Sequence, residues 1–350
     1  MLKLPRWWRS LESIPCLADV TFTWKSLLGP EYELVSKFLR PNGMLAQSVP
    51  CRAKHDCGCA HFVVEHAPDH IVAVCQCEPQ RCDTFPITRS DMVIYEVNQS
   101  ALGAAVASAL GIEYEGGETN DMYMTFQVGT YSPLAGFEFP VFMTLQHDPN
   151  DLQQVVGTLI AMNDAPMILL LPTRSLLNPA VTDMVHRKGG CVLALESFMC
   201  LSEDGGFVSD PPVDNLLAKF NALHVPDPED QTAMTFFPTP TGSTWENVSI
   251  RFVDGHKVAV KVKSESGVFN FTQMGMANQK SSEPNLQWKL LQVFAEEQGE
   301  LTWRSPYADP RNQKRKEILA NSLGLFFRIK GDPFKLTADG KGWASRFNIS

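Results

Sequence analysis

Six of the nine cysteines, Cys51, Cys57, Cys59, Cys75, Cys77 and Cys82, fall within 32 residues at the spacing C-x5-C-x-C-x15-C-x-C-x4-C. An exported chain more often spreads its cysteines as long-range staples, whereas a tight cluster in a reducing compartment binds metal. Four thiolates converging at about 2.3 Å on one Zn2+ make a closed tetrahedral site. The pattern favours Cys51 and Cys57 with Cys77 and Cys82, leaves Cys59 and Cys75 as alternates, and implies one structural Zn2+. Disulfides, free thiols or an iron–sulfur centre are the competing readings. Four of the eight histidines (His55, His61, His66, His70) lie nearby and could enter the shell, although each reads more simply as a solvated side chain. Cys16, Cys191 and Cys200 read as small buried hydrophobes.

These ligands need an element to hold them. His61–His66 and His70–Cys75 alternate apolar and polar residues about an Ala-Pro-Asp turn, which predicts a β-hairpin with Cys59 opposite Cys77. Two cysteine-bearing loops flanking a hairpin resemble a zinc ribbon. So small a hairpin buries too little apolar surface to stand alone, and metal would supply the missing stability. Window 51–91 holds four basic residues (Arg52, Lys54, Arg81, Arg89) against six acidic ones, so it reads as a structural clip or a protein-docking knob.

Residues 92–227 predict a central α/β sheet domain. Val141–Leu145, Met167–Leu171 and Cys191–Leu195 read as strands. Asp151–Met162, Asn178–Arg187 and Val213–Leu223 have helical spacing. Strand–helix alternation implies a mostly parallel sheet covered by helices. Ligands bind beyond the strand C-termini of such sheets, here at His147, Asp148, Thr173, Arg174 and Glu196, although polar residues commonly end strands without binding anything. No nucleophile elbow, phosphate loop or H-E-x-x-H motif is present. The expectation is that the chain is not an enzyme and that its catalytic residues are none.

The formal charge of −9 is unevenly shared: residues 240–350 hold 16 Lys and Arg against 11 Asp and Glu, net +5, and the rest is net −14. A basic module on an acidic body signals a nucleic-acid partner for the module. Residues 228–244, rich in Pro, Thr and Gly, read as a linker. Beyond it come three short strands, a helix opened by Pro284-Asn285, a second helix after Asp309-Pro310 with Arg311, Asn312, Lys314, Arg315 and Lys316 early, and a closing hairpin, GDPFKLTADGKGWASRFNI. This sequence of sheet, helix, basic helix and hairpin resembles the winged-helix effector domain of response-regulator transcription factors. The resemblance implies contacts to double-stranded DNA from Arg311, Asn312, Lys314 and Arg315, with Lys341 and Arg346 as wing contacts and Gly340 and Gly342 shaping the wing.

The fold class read from the sequence is thus multi-domain α/β: an N-terminal region 1–91 carrying the zinc-ribbon-like module 51–91, a central α/β domain 92–227, a linker 228–244 and a winged-helix-like basic domain 245–350. No apolar run approaches the roughly 18 residues of a membrane span, and MLKLPRWWRSLES lacks the apolar core of a signal peptide. The expectation is a cytoplasmic, prokaryotic-type DNA-binding regulator whose acidic body senses a small ligand or docks a protein. The alternative is a non-catalytic adaptor subunit that uses the same modules for protein contacts.

Overall fold

The computed structural model describes residues 2–52, 58–118, 122–225, 236–278 and 283–350. The protein is mixed α/β with several separate sheets. It divides into two compact units, Met1–Tyr131 with Phe139–Phe220, and Ser132–Glu138 with Asn221–Ser350.

The first unit opens with helix α1 (Pro5–Ser13), whose Trp7, Trp8 and Leu11 are buried. The cysteine segment forms a four-stranded antiparallel sheet in chain order, β1 (Ser48–Pro50), β2 (Ala60–Ala67), β3 (His70–Cys75) and β4 (Phe85–Ile87). Its hairpin pairs His61 with Cys75. Its core is small: Val20, Val49, Ile71, Ala73, Ile87 and Met92.

The largest sheet has the order β9-β8-β7-β6-β5 and comprises β5 (Tyr114–Glu118), β6 (Thr125–Tyr131), β7 (Phe139–Thr144), β8 (Ile168–Leu171) and β9 (Cys191–Ala194). Only β7, β8 and β9 run parallel. Strands β5 and β6 join antiparallel, so the sheet is more mixed than strand–helix alternation alone suggests. The crossovers are α2 (Pro149–Met162) and α3 (Pro179–Arg187). Asp148 and Asn178 cap them through their side chains, and each cap is followed by Pro in the first turn. Leu152, Val156 and Leu159 of α2 and Val181 and Val185 of α3 pack with Leu169 and Leu171 of β8. All four residues of β8 are buried, as a parallel strand covered on both faces requires. Val213–Leu223 is not one helix but two short ones, Val213–Leu216 and Ala218–His224.

The second unit has an antiparallel meander, β10 (Val248–Phe252), β11 (Lys257–Val262) and β12 (Glu265–Asn270), then helix α4 (Leu286–Glu296), β13 (Glu300–Thr302), helix α5 (Asn312–Phe327), β14 (Phe334–Leu336), β15 (Gly342–Ser345) and β16 (Asn348–Ile349). Strand β16 returns to pair parallel with β10, while β13, β15 and β14 make a second sheet in that order. Residues 303–311 form turns. Trp245, Trp288, Phe294, Phe326, Phe327, Phe334 and Phe347 give this unit a large aromatic core. Phe237, in the stretch read as linker, is 1% exposed and belongs to that core.

Candidate metal centre

The cysteines gather at one end of the β1–β4 sheet. Cys51 follows β1, Cys59 precedes β2, Cys75 ends β3, and Cys77 and Cys82 lie in the loop to β4. Backbone pairing sets this convergence. The Cys51 N–H donates to the Cys59 carbonyl at 3.1 Å, and the His61–Cys75 register carries Cys59 across from Cys77. Arg52 anchors the Cys51 loop. Its guanidinium pairs with Asp91 at 2.8 Å and lies 5.2 Å from the Phe22 and Phe85 ring centres. Asp91 in turn closes a capping box with Thr88. The Thr88 hydroxyl and the Arg52 guanidinium hold its carboxyl down to about 2.

Two groups of donors result. Cys51, Cys59, His61 and Cys82 place their ligand atoms within 4.8 Å of one another, as do Cys59, Cys75 and Cys77. The Cys51–Cys82 sulfurs are 3.5 Å apart, Cys59–Cys82 3.7 Å, and Cys59–Cys75 3.9 Å. Disulfide sulfurs lie at about 2.05 Å, so these are not bonds. The edge of a tetrahedron with about 2.3 Å metal–sulfur bonds is about 3.8 Å, close to all three separations. The donor set therefore fits a thiophilic ion in tetrahedral coordination.

Of the ligands favoured from spacing, Cys51 and Cys82 fall in the first group and Cys77 in the second. The alternates Cys59 and Cys75 are also brought in, and Cys59 belongs to both groups. Cys57, like His55, lies outside the described residues. His61 corrects the reading of a solvated side chain: it is fully buried. Its Nδ1 faces the Cys59 sulfur at 3.8 Å, and its buried Nε2 has no hydrogen-bond partner. His66 and His70 are exposed near the hairpin turn, their rings 5.1 Å apart. The Cys77 N–H donates to the Cys75 sulfur at 3.4 Å and, as the main cause, holds that thiol down to about 6. By contrast, burial pushes the Cys191 thiol up to about 12, so it stays protonated at neutral pH.

The candidate DNA contacts lie in the second unit. Arg311 and Lys341 are exposed and, among the described residues, neither forms an ion pair. Lys314 pairs with Glu317 at 3.0 Å, Arg315 with Asp309 at 3.1 Å, and Arg346 with Glu246 at 3.7 Å. Asn312 is 4% exposed and donates to the Tyr307 carbonyl, so it faces inward. Gly340 has a φ of +67° in the turn between β14 and β15. A Cβ at Gly342 would lie 2.4 Å from the Leu301 carbonyl oxygen, so the close packing of β15 on β13 needs glycine there.

At the strand ends of the large sheet, the crevice residues meet a side chain from α1. The Glu12 carboxylate accepts from the Thr173 N–H at 2.9 Å and from its hydroxyl at 2.6 Å, and from the Ser175 hydroxyl. The Glu12 carbonyl lies 3.1 Å from the His147 Nδ1, and Glu196 accepts from the Arg174 N–H. Asp148 is occupied as the α2 cap. The strand ends thus come together as expected, around a carboxylate whose position in sequence gave no hint of this role.

Among the described residues no helix is long and apolar enough to cross a membrane. Comparison with family models, with curated proteins and with solved structures gave no match to this chain.

Proposed function

We propose that this chain is a cytoplasmic DNA-binding regulatory protein. In this reading Cys51, Cys59, His61 and Cys82 hold one structural Zn2+, and the basic segment 240–350 grips double-stranded DNA. The acidic first unit receives a protein or a small ligand. Zn2+ is favoured because three soft sulfur donors and an imidazole, all within 4.8 Å of one another, suit a d10 ion with no geometric preference of its own.

The observation that carries the DNA reading is a group of exposed cations on the β13-β15-β14 sheet and its turns, where they outnumber the exposed acidic residues Glu300 and Asp339. Arg304, Lys335 and Lys341 are all exposed there. Trp303, 56% exposed, donates its backbone N–H to the Lys341 carbonyl, and its ring centre lies 6.4 Å from that of Trp343. Helix α5 follows with Arg311 at its start, where the helix dipole is positive and favours phosphate. Gln313 and Asn321 are exposed along α5 and can present amides to base edges.

A second reading, the adaptor, is favoured by the rest of that helix surface. Ile318 and Leu325 are 41% and 60% exposed two turns apart on one helical stripe, beside the internally paired Lys314. Apolar side chains on a groove-reading face suit a protein partner better than phosphates. A salt titration against random-sequence duplex separates the two. The DNA reading expects affinity to fall steeply with salt, and Arg311→Ala with Lys341→Ala to flatten the log–log slope by about two. No binding at roughly 50 mM salt would leave the adaptor.

A further inference from the structure

The cysteine cluster contains more sulfur than one tetrahedral ion can use. After Cys51, Cys59, His61 and Cys82 are assigned, Cys75 and Cys77 remain beside the same centre, and both lie within 4.8 Å of the Cys59 sulfur. The two donor groups share only Cys59. Its sulfur stands 3.7 Å from Cys82 on one side and 3.9 Å from Cys75 on the other, a tetrahedral edge in each direction. A thiolate sulfur has lone pairs enough to bond two metal ions at once.

We infer that the module is a binuclear centre, in which Cys59 bridges the first ion to a second thiophilic divalent ion, Zn2+ or Cd2+, held by Cys59, Cys75 and Cys77. This rests on the reading of Cys51, Cys59, His61 and Cys82 as a metal site and extends it. One further observation points the same way: the Cys77 N–H donates to the Cys75 sulfur at 3.4 Å, the kind of backbone-to-sulfur bond that offsets negative charge on a ligating thiolate. The second ion has three protein thiolates in this set and takes a fourth donor from water or elsewhere. It is therefore the more exchangeable of the two, and makes the module responsive to free thiophilic metal.

Metal analysis and 113Cd NMR of the full-length protein, purified under reducing conditions, test this. The expected native result is two Zn2+ per chain. The cadmium-loaded protein should give two resonances coupled to each other through the shared sulfur. Cys77→Ser should retain one ion with an unchanged circular dichroism spectrum, and Cys59→Ser should abolish the coupling. Should Cys77→Ser fail to fold, the native spectrum alone decides. One ion per chain with a single cadmium resonance would overturn the second site and leave the first standing, whereas no bound metal would overturn both.

Discussion

His61 shows how one register decides a candidate ligand. Read as an alternating strand, β2 places Phe62 and Val64 on the core side, yet Phe62 is 47% exposed and His61 is fully buried. A shift of one residue exchanges the faces of a strand. The usable clue was the Cys59-x-His61 spacing, since residues two apart share a face, and the Cys75-x-Cys77 pair repeats it on the opposing strand. His61→Phe keeps the apolar volume and removes the donor. Zinc affinity measured by chelator competition should then fall by more than the roughly 10–100-fold typical of losing an outer-shell partner. Asp91 supplies a test of a different kind. Its folded carboxyl titrates at about 2, below the ordinary 3.8, so ionised Asp91 stabilises the fold above the unfolded value and that contribution is lost as pH falls through about 2. Asp91→Asn should therefore lower the denaturation midpoint at pH 6 and converge on the unmodified protein near pH 2.

Among the elements, the crossover helices were the most legible. Asp148-Pro149 and Asn178-Pro179 combine a capping side chain with a proline whose missing N–H costs nothing in the first turn, and both helices start there. The apolar run of β8 likewise marks a strand covered on both faces. What periodicity could not reveal was pairing: nothing local tells β5 and β6 to run antiparallel, because strand direction is set by connections and by the neighbouring strand. Phe237 escaped for a related reason. It lies among turn-forming residues, and its burial depends on the distant Phe326 and Phe327. The hairpin of β14 and β15 offers a sharp element-level test. Gly342→Ala forces a Cβ against the Leu301 carbonyl and should lower the melting temperature by several degrees, a cost of about 1–3 kcal/mol. Gly340→Ala meets no neighbour within 4 Å and costs only the strain of a positive φ, so its effect should be smaller.

For the whole molecule, the second unit has a broad aromatic core of its own, while the β1–β4 sheet, one part of the first unit, packs in a core of six small or medium side chains, with Val20 and Met92 supplied from outside it, beside a cluster of sulfurs. Chelation should consequently lower one calorimetric transition and leave the transition of the second unit in place. The division of charge, −14 over residues 1–239 against +5 over residues 240–350, is visible in the sequence because charge follows from composition alone. Where the charges point was not: Arg315 and Arg346 turn to acidic neighbours that lie six and a hundred residues away. The Glu12 carboxylate has a consequence for the first unit of another order. It accepts from the Thr173 N–H and from the hydroxyls of Thr173 and Ser175, which fastens the end of α1 to a strand end 161 residues further along the chain. Without that carboxylate these donors would be left with an unmade hydrogen bond, so the seating of α1 on the sheet and the satisfaction of the strand end are one and the same contact.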